Sequence, residues 1–421
     1  MAERAWAGSG CPGIGTESIM KVFFSVGEPS GDLHGANLVR ALGRTGGVEC
    51  VGYGGPRMAA AGCALHADLT ETAVMWFRGA FANLSRFRSL YRRADAIFRC
   101  DRPDAVVLID YPGFNWWIAR AAKRHGIPVF YYGAPQLWAW GAWRVAKMRR
   151  LVDHVLCKLP FEADWYAKRG CRAAFVGHPY FDELAERTLD APFLAAMRRD
   201  SKPIVTILPG SRTLEVQNNL AWFVRAAERL RQDVPEVRFV VASFNARQAE
   251  LATRIAAESS VPFEIHAGRT PELIELADAC WACSGSVSLE LLYHEKPSAI
   301  LYWVPRLQYW LVRTFLIRVP YVTLVNLLAC EDPFAEGLRP YDPRDPSSAS
   351  VPFPEYPTCE DKSAELAEHA RAWLLDPAAR DRTVAMLRAL KTRFARPGAS
   401  SVAAEMIHRL AGESARRRAA A

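Results

Sequence analysis

Pro209-Gly210-Ser211-Arg212-Thr213-Leu214-Glu215-Val216 is the stretch from which the fold of this chain can be worked out. The apolar run before it, residues 203–208, predicts a buried strand, and the run from Glu215 to about Gln232 predicts a helix. A Gly-Ser turn between them leaves backbone N–H groups free at the positive end of the helix. Gly210 and Ser211 therefore predict a phosphate-binding turn, to which Arg212 adds a cation. An ordinary loop with a surface arginine is the alternative, because short glycine motifs are common.

The length and charge of the chain limit its class. It has 421 residues, half of them hydrophobic, which favours two or three domains with full cores. The 53 basic and 45 acidic residues leave a net charge of +8. This moderate excess fits an anionic ligand or a membrane surface as well as nucleic acid.

The ten cysteines show no metal or disulfide framework. Their single CxxC pair, Cys280 and Cys283, lies in an apolar, strand-like run without a second pair or a histidine pattern, so zinc is disfavoured. Free thiols in a reducing cytosol are the simpler interpretation. No metal site and no cofactor are predicted.

The chain carries no apolar run of the roughly 18 residues that a membrane-spanning helix needs, and residues 1–20 lack the long apolar core that is typical of a signal peptide. Residues 1–20 are rich in glycine and alanine and predict a disordered extension, with Met20 as a possible true start. The basic tail, residues 411–421, is also predicted to be disordered.

The first strand is followed by a polar, glycine-containing loop. Lys21-Val22-Phe23-Phe24-Ser25-Val26 predicts a parallel strand buried on both faces. The loop Gly27-Glu28-Pro29-Ser30-Gly31-Asp32 is not GxGxxG, so the dinucleotide fingerprint is absent. Ser30 or Asp32 could simply cap the following helix.

Buried strands alternate with helices along the rest of the chain, which predicts βαβ units and doubly wound sheets. We expect two Rossmann-like domains that face each other across a cleft, separated by the polar segment 181–200. The domain limits are 21–185 and 186–375, with C-terminal helices over 376–410, and residues 331–362 predict a long loop. The predicted strands are 104–110, 127–133, 154–159, 173–177, 203–208, 238–243, 263–267, 279–284, 298–304 and 321–326.

Three polar stretches follow predicted strands: residues 27–32, Asp110 and residues 209–212. Ligands of doubly wound sheets bind beyond the carboxyl ends of the strands. Three such stretches at the same kind of edge favour a ligand site over three unrelated loops.

Taken in order, nine motifs resemble the lipid A disaccharide synthases, from about Lys21 to Leu410. Each is weak alone, but their joint order is specific. They are Gly27-Glu28-Pro29-Ser30-Gly31-Asp32, Gly55-Pro56-Arg57-Met58, Ile109-Asp110-Tyr111-Pro112-Gly113-Phe114-Asn115, Gln136-Leu137-Trp138-Ala139-Trp140, Leu159-Pro160-Phe161-Glu162, Val176-Gly177-His178-Pro179, Leu208-Pro209-Gly210-Ser211-Arg212, Ser284-Gly285-Ser286 through Leu289-Glu290, and Tyr321-Val322-Thr323-Leu324-Val325-Asn326-Leu327-Leu328.

The resemblance implies a GT-B glycosyltransferase of lipid A biosynthesis. Such an enzyme would join UDP-2,3-diacylglucosamine to 2,3-diacylglucosamine 1-phosphate through a β-1,6 linkage and release UDP. It would be inverting and metal-independent, and it would act at the cytoplasmic face of the inner membrane of a Gram-negative cell, as a peripheral protein and as a homodimer.

Asp110 matches the base that the family is proposed to use. Displacement at an anomeric carbon needs a base for the acceptor hydroxyl, and a positioned carboxylate contributes about 100- to 10,000-fold. An aspartate that caps the following turn is the alternative. Where the family usually has a second aspartate, this chain has Gly113, which puts in doubt any mechanism that requires the pair.

The UDP side is predicted from the same resemblance. With no DxD metal motif in a plausible place, Arg212 and the helix N-terminus would neutralise the diphosphate. Glu290 would meet the ribose, with a helix-surface glutamate as the alternative, and the role of Glu28 is open. The predicted UDP-binding residues are Arg212, Glu290, Asn326, Gly210, Ser211, Ser284 and Gly285, and the further cleft residues are Glu28, Ser30 and Asp32. The family often has Tyr-Arg where this chain has Tyr302-Trp303, and the nearest cation is Arg306.

Two basic amphipathic stretches suit an enzyme whose substrates carry acyl chains. One lies between Trp76 and Arg99 and the other between Trp303 and Tyr321. A core-facing stripe with a solvated basic side is the alternative. The predicted membrane-contact residues are Trp76, Phe77, Phe81, Leu307, Trp310, Leu311, Arg306 and Arg313.

Other interpretations stay open at this point. A UDP-sugar epimerase or a transferase with a soluble acceptor would share the fold, but would leave the amphipathic stretches unexplained. A non-catalytic protein that binds nucleic acid or a membrane surface would fit the charge, but not the three strand-end stretches, and no nucleic-acid partner is predicted. A degenerate paralogue would explain Gly113 and Trp303.

Overall fold

Two β-sheets with helices between their strands make up the chain in a computed structural model that describes residues 19–70, 84–283 and 285–420. The described chain divides into two units. The first comprises residues up to Phe130 together with Ala404 onward, and the second comprises Tyr131–Ala403. The doubly wound α/β class predicted from the alternating pattern is confirmed.

The first sheet has seven strands in the order β3-β2-β1-β4-β5-β6-β7. The central β1 pairs in parallel with β2 on one side and with β4 on the other. Strands Val48–Gly54 and Ala64–Asp68 were not predicted from the sequence. The strands are β1 Met20–Val26, β2 Val48–Gly54, β3 Ala64–Asp68, β4 Ala105–Ile109, β5 Val129–Tyr132, β6 His154–Cys157 and β7 Ala173–Phe175.

The second sheet has six strands in the order β10-β9-β8-β11-β12-β13, and every neighbouring pair is parallel. Its core is built from both faces, which explains why β8 and β11 read as continuous apolar runs. The strands are β8 Ile204–Leu208, β9 Arg238–Ser243, β10 Phe263–Ala267, β11 Ala279–Cys283, β12 Ser298–Trp303 and β13 Glu355–Thr358.

In each sheet the direction in which successive strands are added reverses between two central strands. In the first sheet the order runs outward from β1 in one direction and from β4 in the other, and in the second sheet from β8 and β11. The loops that leave two such strands diverge and open a crevice beyond their carboxyl ends. The 27–32 and 110–113 stretches flank the reversal point of the first sheet, and residues 209–212 follow β8 in the second.

The helices occupy the connections between strands, except for the last three, which follow β13. They are α1 Pro29–Thr45, α2 Pro56–Ala60, α3 Leu84–Cys100, α4 Pro112–Arg124, α5 Val145–Leu151, α6 Pro160–Ala167, α7 Pro179–Glu186, α8 Ala191–Met197, α9 Thr213–Asp233, α10 Ala246–Ala256, α11 Thr270–Leu276, α12 Val287–Tyr293, α13 Arg306–Leu311, α14 Leu324–Ala329, α15 Ser363–Leu375, α16 Pro377–Phe394 and α17 Ala399–Ala419. The two sheets lie on either side of the predicted domain limit at 185/186, and the limit itself stays a prediction.

The predicted strand at 321–326 is wrong, because this apolar run turns into α14. The buried carboxylate of Glu355 accepts the backbone N–H groups of Val322 (2.8 Å) and Thr323 (3.1 Å), and so holds the entry to the helix. Glu355 itself opens β13, which takes the edge of the sheet inside the segment predicted as a long loop. A short apolar run cannot distinguish a buried strand from a buried helix by periodicity.

The predicted disorder of the tail is also wrong, because residues 411–419 continue α17. Ala411 is fully buried, and Arg418 forms an ion pair with Asp104 at 3.6 Å. Alanine favours a helix, and three arginines in the last turn complement the helix dipole. The predicted disordered extension, residues 1–20, lies almost wholly outside the described residues, although Met20 opens β1.

Glu355 should make stability depend on pH. Burial raises its pKa from the ordinary 4.5 to about 7, so the folded chain holds a proton that the unfolded chain has lost between these values. The stability contribution is therefore present below pH 4.5 and is lost as the pH rises towards 7, by roughly 3 kcal/mol. Melting temperatures measured from pH 4.5 to 8 should fall more steeply for the wild type than for Glu355→Gln.

The exposed Glu336 provides a matched control. Glu336→Gln should retain the wild-type dependence of the melting temperature on pH. Parallel melting curves for the wild type and Glu355→Gln would contradict the expectation.

Candidate active-site residues

Asp110 lies directly after β4 in a backbone conformation that a non-glycine residue rarely adopts. Its φ is +48° and that of Tyr111 is +41°. Residues in this left-handed region carry a cost of about 1–3 kcal/mol each and persist only where the surroundings hold them. Two in succession at the end of a buried strand therefore require a specific support.

The side-chain amide of Asn115, fully buried in α4, supplies that support. Its Nδ2 donates to the carbonyl oxygens of Asp110 (2.8 Å) and Ile109 (3.2 Å), and to that of Ser25 on β1 (3.2 Å). The Ser25 hydroxyl donates to Asn115 Oδ1 at 2.7 Å. No separate role was predicted for Asn115 from the sequence. The sequence feature that could have pointed to it is an amide side chain in an apolar helical segment, because a buried polar group must find hydrogen-bond partners.

Two glycines of the 27–32 stretch make room for the turn at 110–111. A Cβ on Gly31 would lie 3.2 Å from Asp110 Oδ2, and one on Gly27 would lie 2.4 Å from the ring of Tyr111. The carboxylate of Asp110 thus lies against the first turn of α1. These contacts explain why the two motifs occur together.

Among the other predicted residues of this stretch, Asp32 has a structural role. Its buried carboxylate accepts the N–H groups of Gly55 (2.9 Å), Arg57 (3.0 Å) and Met58 (3.1 Å), and so caps α2. This links the 27–32 motif to the 55–58 motif. Glu28, at the N-cap position of α1, and Ser30 are exposed.

Gly113 is the position at which the resemblance described above predicts a second aspartate. A Cβ built there would meet nothing within 4 Å, and the residue has no positive φ. Neither space nor backbone conformation therefore requires glycine at this position.

The 209–212 loop is held by the carboxylate of Glu215 on the first turn of α9. Glu215 Oε2 accepts the N–H groups of Ser211 (2.9 Å) and Arg212 (3.1 Å), and its Oε1 pairs with the Arg212 guanidinium at 3.1 Å. These two N–H groups are therefore not free, contrary to the prediction from the sequence, because a carboxylate of the same helix occupies them. Gly210 has φ +122°, and a Cβ there would collide with Glu215. The Arg212 side chain is 79% exposed, so its guanidinium is open to solvent.

Asn219, buried one turn further along α9, joins this loop to two other strand ends. Its Nδ2 donates to the carbonyl of Glu215 (2.8 Å) and lies 3.6 Å from the sulfur of Cys283, while its Oδ1 accepts the N–H of Trp303 (2.9 Å). Trp303 packs against Trp222, with ring centroids 5.9 Å apart. Asn219 was not predicted from the sequence. The sequence feature that could have pointed to it is an amide side chain on the apolar face of a long predicted helix.

Glu290 is buried on α12, and two groups from the α7 segment hold its carboxylate. The Tyr180 hydroxyl donates to Oε2 and the Arg187 guanidinium donates to Oε1. Burial is the main cause that raises the pKa of Tyr180, so its hydroxyl stays protonated and donates. Gly285 lies just before α12 with φ +159°, and the predicted Ser284 lies outside the described residues.

Asn326 is occupied by protein partners. Its Nδ2 donates to the carbonyl of Phe353 and to Glu355 Oε2, both at 2.8 Å, and its Oδ1 accepts the N–H of Phe353 at 3.0 Å. The amide therefore fixes the 321–329 segment against the strand that follows it.

The second basic amphipathic stretch forms α13 and the turn after it. Leu307, Trp310 and Leu311 are 70%, 56% and 40% exposed, and Arg306 and Arg313 are also exposed. The apolar side chains therefore do not face a core. Trp76, Phe77 and Phe81 of the first stretch lie outside the described residues.

Within the described ranges, no group of three or more histidine, cysteine, aspartate or glutamate side chains could hold a metal ion. No described helix is long and apolar enough to cross a membrane.

Solved structures with the same fold include a UDP-GlcNAc 2-epimerase and a glycosyltransferase. The UDP-GlcNAc 2-epimerase of Neisseria meningitidis, solved with UDP-GlcNAc, has a TM-score of 0.62 at 12% identity and covers 93% of this chain and 100% of its own. The calicheamicin glycosyltransferase has a TM-score of 0.55 at 15% identity, covering 94% and 98%. Identities this low show the fold alone, so the epimerases do not favour an epimerase activity. The class is a GT-B glycosyltransferase fold with two parallel-sheet α/β domains, as predicted.

Sequence relatives define the family. The family model described as lipid-A-disaccharide synthetase matches residues 22–339. A lipid-A-disaccharide synthase of Geobacter metallireducens is 35% identical over 321 residues, covering 76% of this chain and 83% of that protein. One from Myxococcus xanthus is 32% identical over 391 residues, covering 92% and 96%.

The chain therefore belongs to the lipid-A-disaccharide synthase family. Its reaction is the transfer of 2,3-diacylglucosamine from UDP to 2,3-diacylglucosamine 1-phosphate in lipid A biosynthesis, with a β-1,6 linkage and release of UDP. Its substrates are thus a UDP-sugar and a phosphosugar, as predicted.

Proposed function

We propose that Asp110 is the general base of an inverting displacement. The carboxylate would take the proton of the acceptor 6-hydroxyl while that oxygen attacks the anomeric carbon from the side opposite UDP. The observation that carries this role is the Asn115 amide, which holds Asp110 in a left-handed conformation at the end of β4. Strain held in place by a buried side chain is typical of functional positions.

The leaving diphosphate is neutralised by protein groups without a metal ion. Arg212 supports this proposal because its guanidinium is exposed at the start of α9. Glu215 holds the N–H groups of Ser211 and Arg212 in the free chain, so it fixes the loop and aims Arg212. A pre-organised cation at the place where charge develops stabilises the transition state most.

Glu290 recognises the ribose of UDP. Its carboxylate is already oriented by Tyr180 and Arg187, and an ionised carboxylate offers more lone pairs than these two donors use. The ribose hydroxyls would donate hydrogen bonds to the remaining lone pairs of this carboxylate, or would take the place of Tyr180 or Arg187 as its donor. Gly210, Ser211 and Gly285 contribute through the backbone of the two loops, and the role of Ser284 stays a prediction from the sequence.

Asn326 acts on the nucleotide side through the position of its segment. Within the described residues its side-chain amide bonds to Phe353 and Glu355, and these bonds hold α14 against the start of β13. Its effect on UDP binding is therefore indirect. Asp32 likewise supports the acceptor side by capping α2, while Glu28 and Ser30 are exposed enough to contact a ligand.

The enzyme reaches its acylated substrates as a peripheral protein on the cytoplasmic face of the inner membrane. The exposed apolar residues of α13, flanked by Arg306 and Arg313, support contact with anionic lipid. Basic amphipathic segments bind such surfaces through buried apolar area and electrostatic attraction together. A homodimer stays a prediction of the resemblance.

Asp110→Asn should lower kcat by about 100- to 10,000-fold, because it removes the carboxylate that acts as the base. It should leave the UDP affinity within about threefold of the wild-type value, because the two side chains have nearly the same volume. Product formation is measured by mass spectrometry and UDP binding by calorimetry. Asp381→Asn, an exposed position on α16, is the matched control and should retain turnover. Loss of UDP affinity in Asp110→Asn would remove Asp110 from the base role.

Arg212→Ala should weaken UDP binding by about 10- to 100-fold, as expected for the loss of a charge-assisted hydrogen bond. Wild-type turnover should persist in EDTA. Arg254→Ala, at an exposed position on α10, controls for the loss of one positive charge. The proposal fails if Arg212→Ala keeps wild-type affinity and turnover, or if EDTA abolishes the activity and a divalent metal restores it.

Leu307→Glu combined with Trp310→Glu should reduce binding to vesicles containing phosphatidylglycerol by at least about tenfold, because both side chains lose apolar contact and gain repulsion. Vesicle co-sedimentation measures this at low and high salt. Leu375→Glu, an exposed apolar position on α15, is the control. Unchanged sedimentation of the double variant would contradict α13 as the contact surface.

A further inference from the structure

A cavity of about 300 Å³ opens at the amino edge of the second sheet, where β8, β11 and β12 begin. Its lining includes Ile204, the first residue of β8, and Asp278, which directly precedes β11. From Ile204, β8 runs for five residues to the 209–212 loop, and at about 3.3 Å per residue this puts the cavity about 16 Å from that loop. The cavity is therefore separate from the strand ends that the proposed UDP site uses.

Four cationic side chains line this cavity, and they come from separate parts of the second unit. They are Arg198 directly after α8, Lys202 before β8, Lys296 before β12 and Arg380 on α16. Like charges that are brought together repel one another, so a group of cations needs negative partners. Those partners are either carboxylates of the protein or a bound anion.

The three carboxylates of the cavity already have donors within the protein. Asp278 Oδ2 accepts the first backbone N–H of β8 at 2.9 Å. Asp200 Oδ1 accepts the backbone N–H of Lys202 at 3.2 Å. Glu275 Oε2 lies 3.0 Å from Nδ1 of His294, within hydrogen-bond distance. One oxygen of each carboxylate is therefore engaged by the fold.

The two arginines of the cavity are less completely paired. The Arg198 guanidinium lies 3.6 Å from Oε1 of Glu275. The Arg380 guanidinium lies 3.8 Å from Oδ1 of Asp278. Both distances exceed the roughly 2.7–3.2 Å of an N–H···O hydrogen bond. Because 59% and 50% of these side chains are exposed, both guanidinium groups keep N–H donors for a ligand that enters the cavity.

Lys296 presents a fixed ammonium group to the same cavity. Its Nζ donates to the carbonyl oxygens of Glu275 (2.8 Å) and Ala277 (3.1 Å), where α11 ends. An ammonium group has three donors, so these two bonds leave the third for a ligand. The preceding residue, Glu295, has φ +53°, and its carboxylate pairs with Arg388 on α16 at 3.0 Å. The turn that carries Lys296 is thus held in a conformation that a non-glycine residue rarely adopts.

We propose that the cavity binds a small, soluble phosphate monoester between the guanidinium groups of Arg198 and Arg380 and the ammonium group of Lys296. Phosphate oxygens accept charge-assisted hydrogen bonds from all three groups, and the planar guanidinium fork donates to two oxygens at once. The volume lies at the lower end of the range for small-molecule sites, about 300–1,000 Å³, and suits a compact ester. The cavity wall is largely charged, which favours a soluble ligand over a phosphate carried by a lipid.

Calorimetry with the full chain tests this site. Saturating UDP first occupies the proposed diphosphate loop, and inorganic phosphate or glycerol 3-phosphate is then titrated. We expect saturable binding of both that weakens as salt is raised, because exposed charges are screened. Arg198→Ala and Arg380→Ala should each weaken this binding by about tenfold, and the double variant by about 100-fold.

Arg254→Ala, at an exposed position on α10, removes one positive charge elsewhere and should bind phosphate as the wild type does. Lys296→Gln should weaken phosphate binding by about tenfold. Because Lys296 also caps α11, thermal melts are needed to establish that this variant is folded. The two half-exposed arginines keep the test decisive if it is not.

The outcomes separate this site from the UDP site. Both arginine variants should keep the wild-type UDP affinity, because they lie at the opposite edge of the sheet. A wild type without saturable phosphate binding, or binding that persists in the double variant, would overturn the cavity site. Without UDP, phosphate binding that is lost in Arg212→Ala and kept in the double variant would assign the phosphate to the 209–212 loop instead.

Vesicles containing phosphatidic acid carry the same phosphate group on a lipid. The wild type and the double variant should co-sediment with them equally. Sedimentation that is lost in the double variant, without any binding of glycerol 3-phosphate, would contradict a soluble ligand.

Discussion

Two buried asparagine amides hold the strand ends on which the proposed chemistry depends. Where a doubly wound sheet reverses its strand order, the loops leaving the two central strands diverge, and their backbone groups can no longer pair with each other. Asn115 meets this need in the first sheet, where it bonds the ends of β1 and β4. Asn219 does so in the second, where it joins the start of α9 to the ends of β11 and β12. Each amide lies within the first two turns of the helix that follows a central strand.

The sequence predicted those parts of the molecule that local pattern determines. Continuous apolar runs such as Val22–Val26 and Ile204–Leu208 are typical of parallel strands buried on both faces, so the sheet cores were recognisable. The strand-end positions of Asp110 and Arg212 followed from the same runs. Strands β2 and β13 were missed, because Val48–Gly54 contains two glycines and a glutamate and Glu355–Thr358 is short and contains proline.

What the sequence could not show is which polar groups satisfy one another over long separations. Asn326 resembled a ligand-binding residue, but its partners are 27 and 29 positions further along the chain. Asp32 resembled a cap for its own helix and instead caps the next one. Glu290 lies 110 positions from Tyr180 and 103 from Arg187, and nothing local links them. Such pairings are set by tertiary structure, which periodicity does not encode.

Gly113 has a consequence for how this enzyme could change over time. Its surroundings are open and its backbone is unstrained, so an aspartate could enter without disturbing the turn that positions Asp110. One-carboxylate and two-carboxylate forms of this loop are therefore separated by a single substitution that crosses no folding barrier. The loop could therefore gain or lose the second carboxylate during evolution without loss of stability, and only the effect on catalytic activity would determine which form is retained.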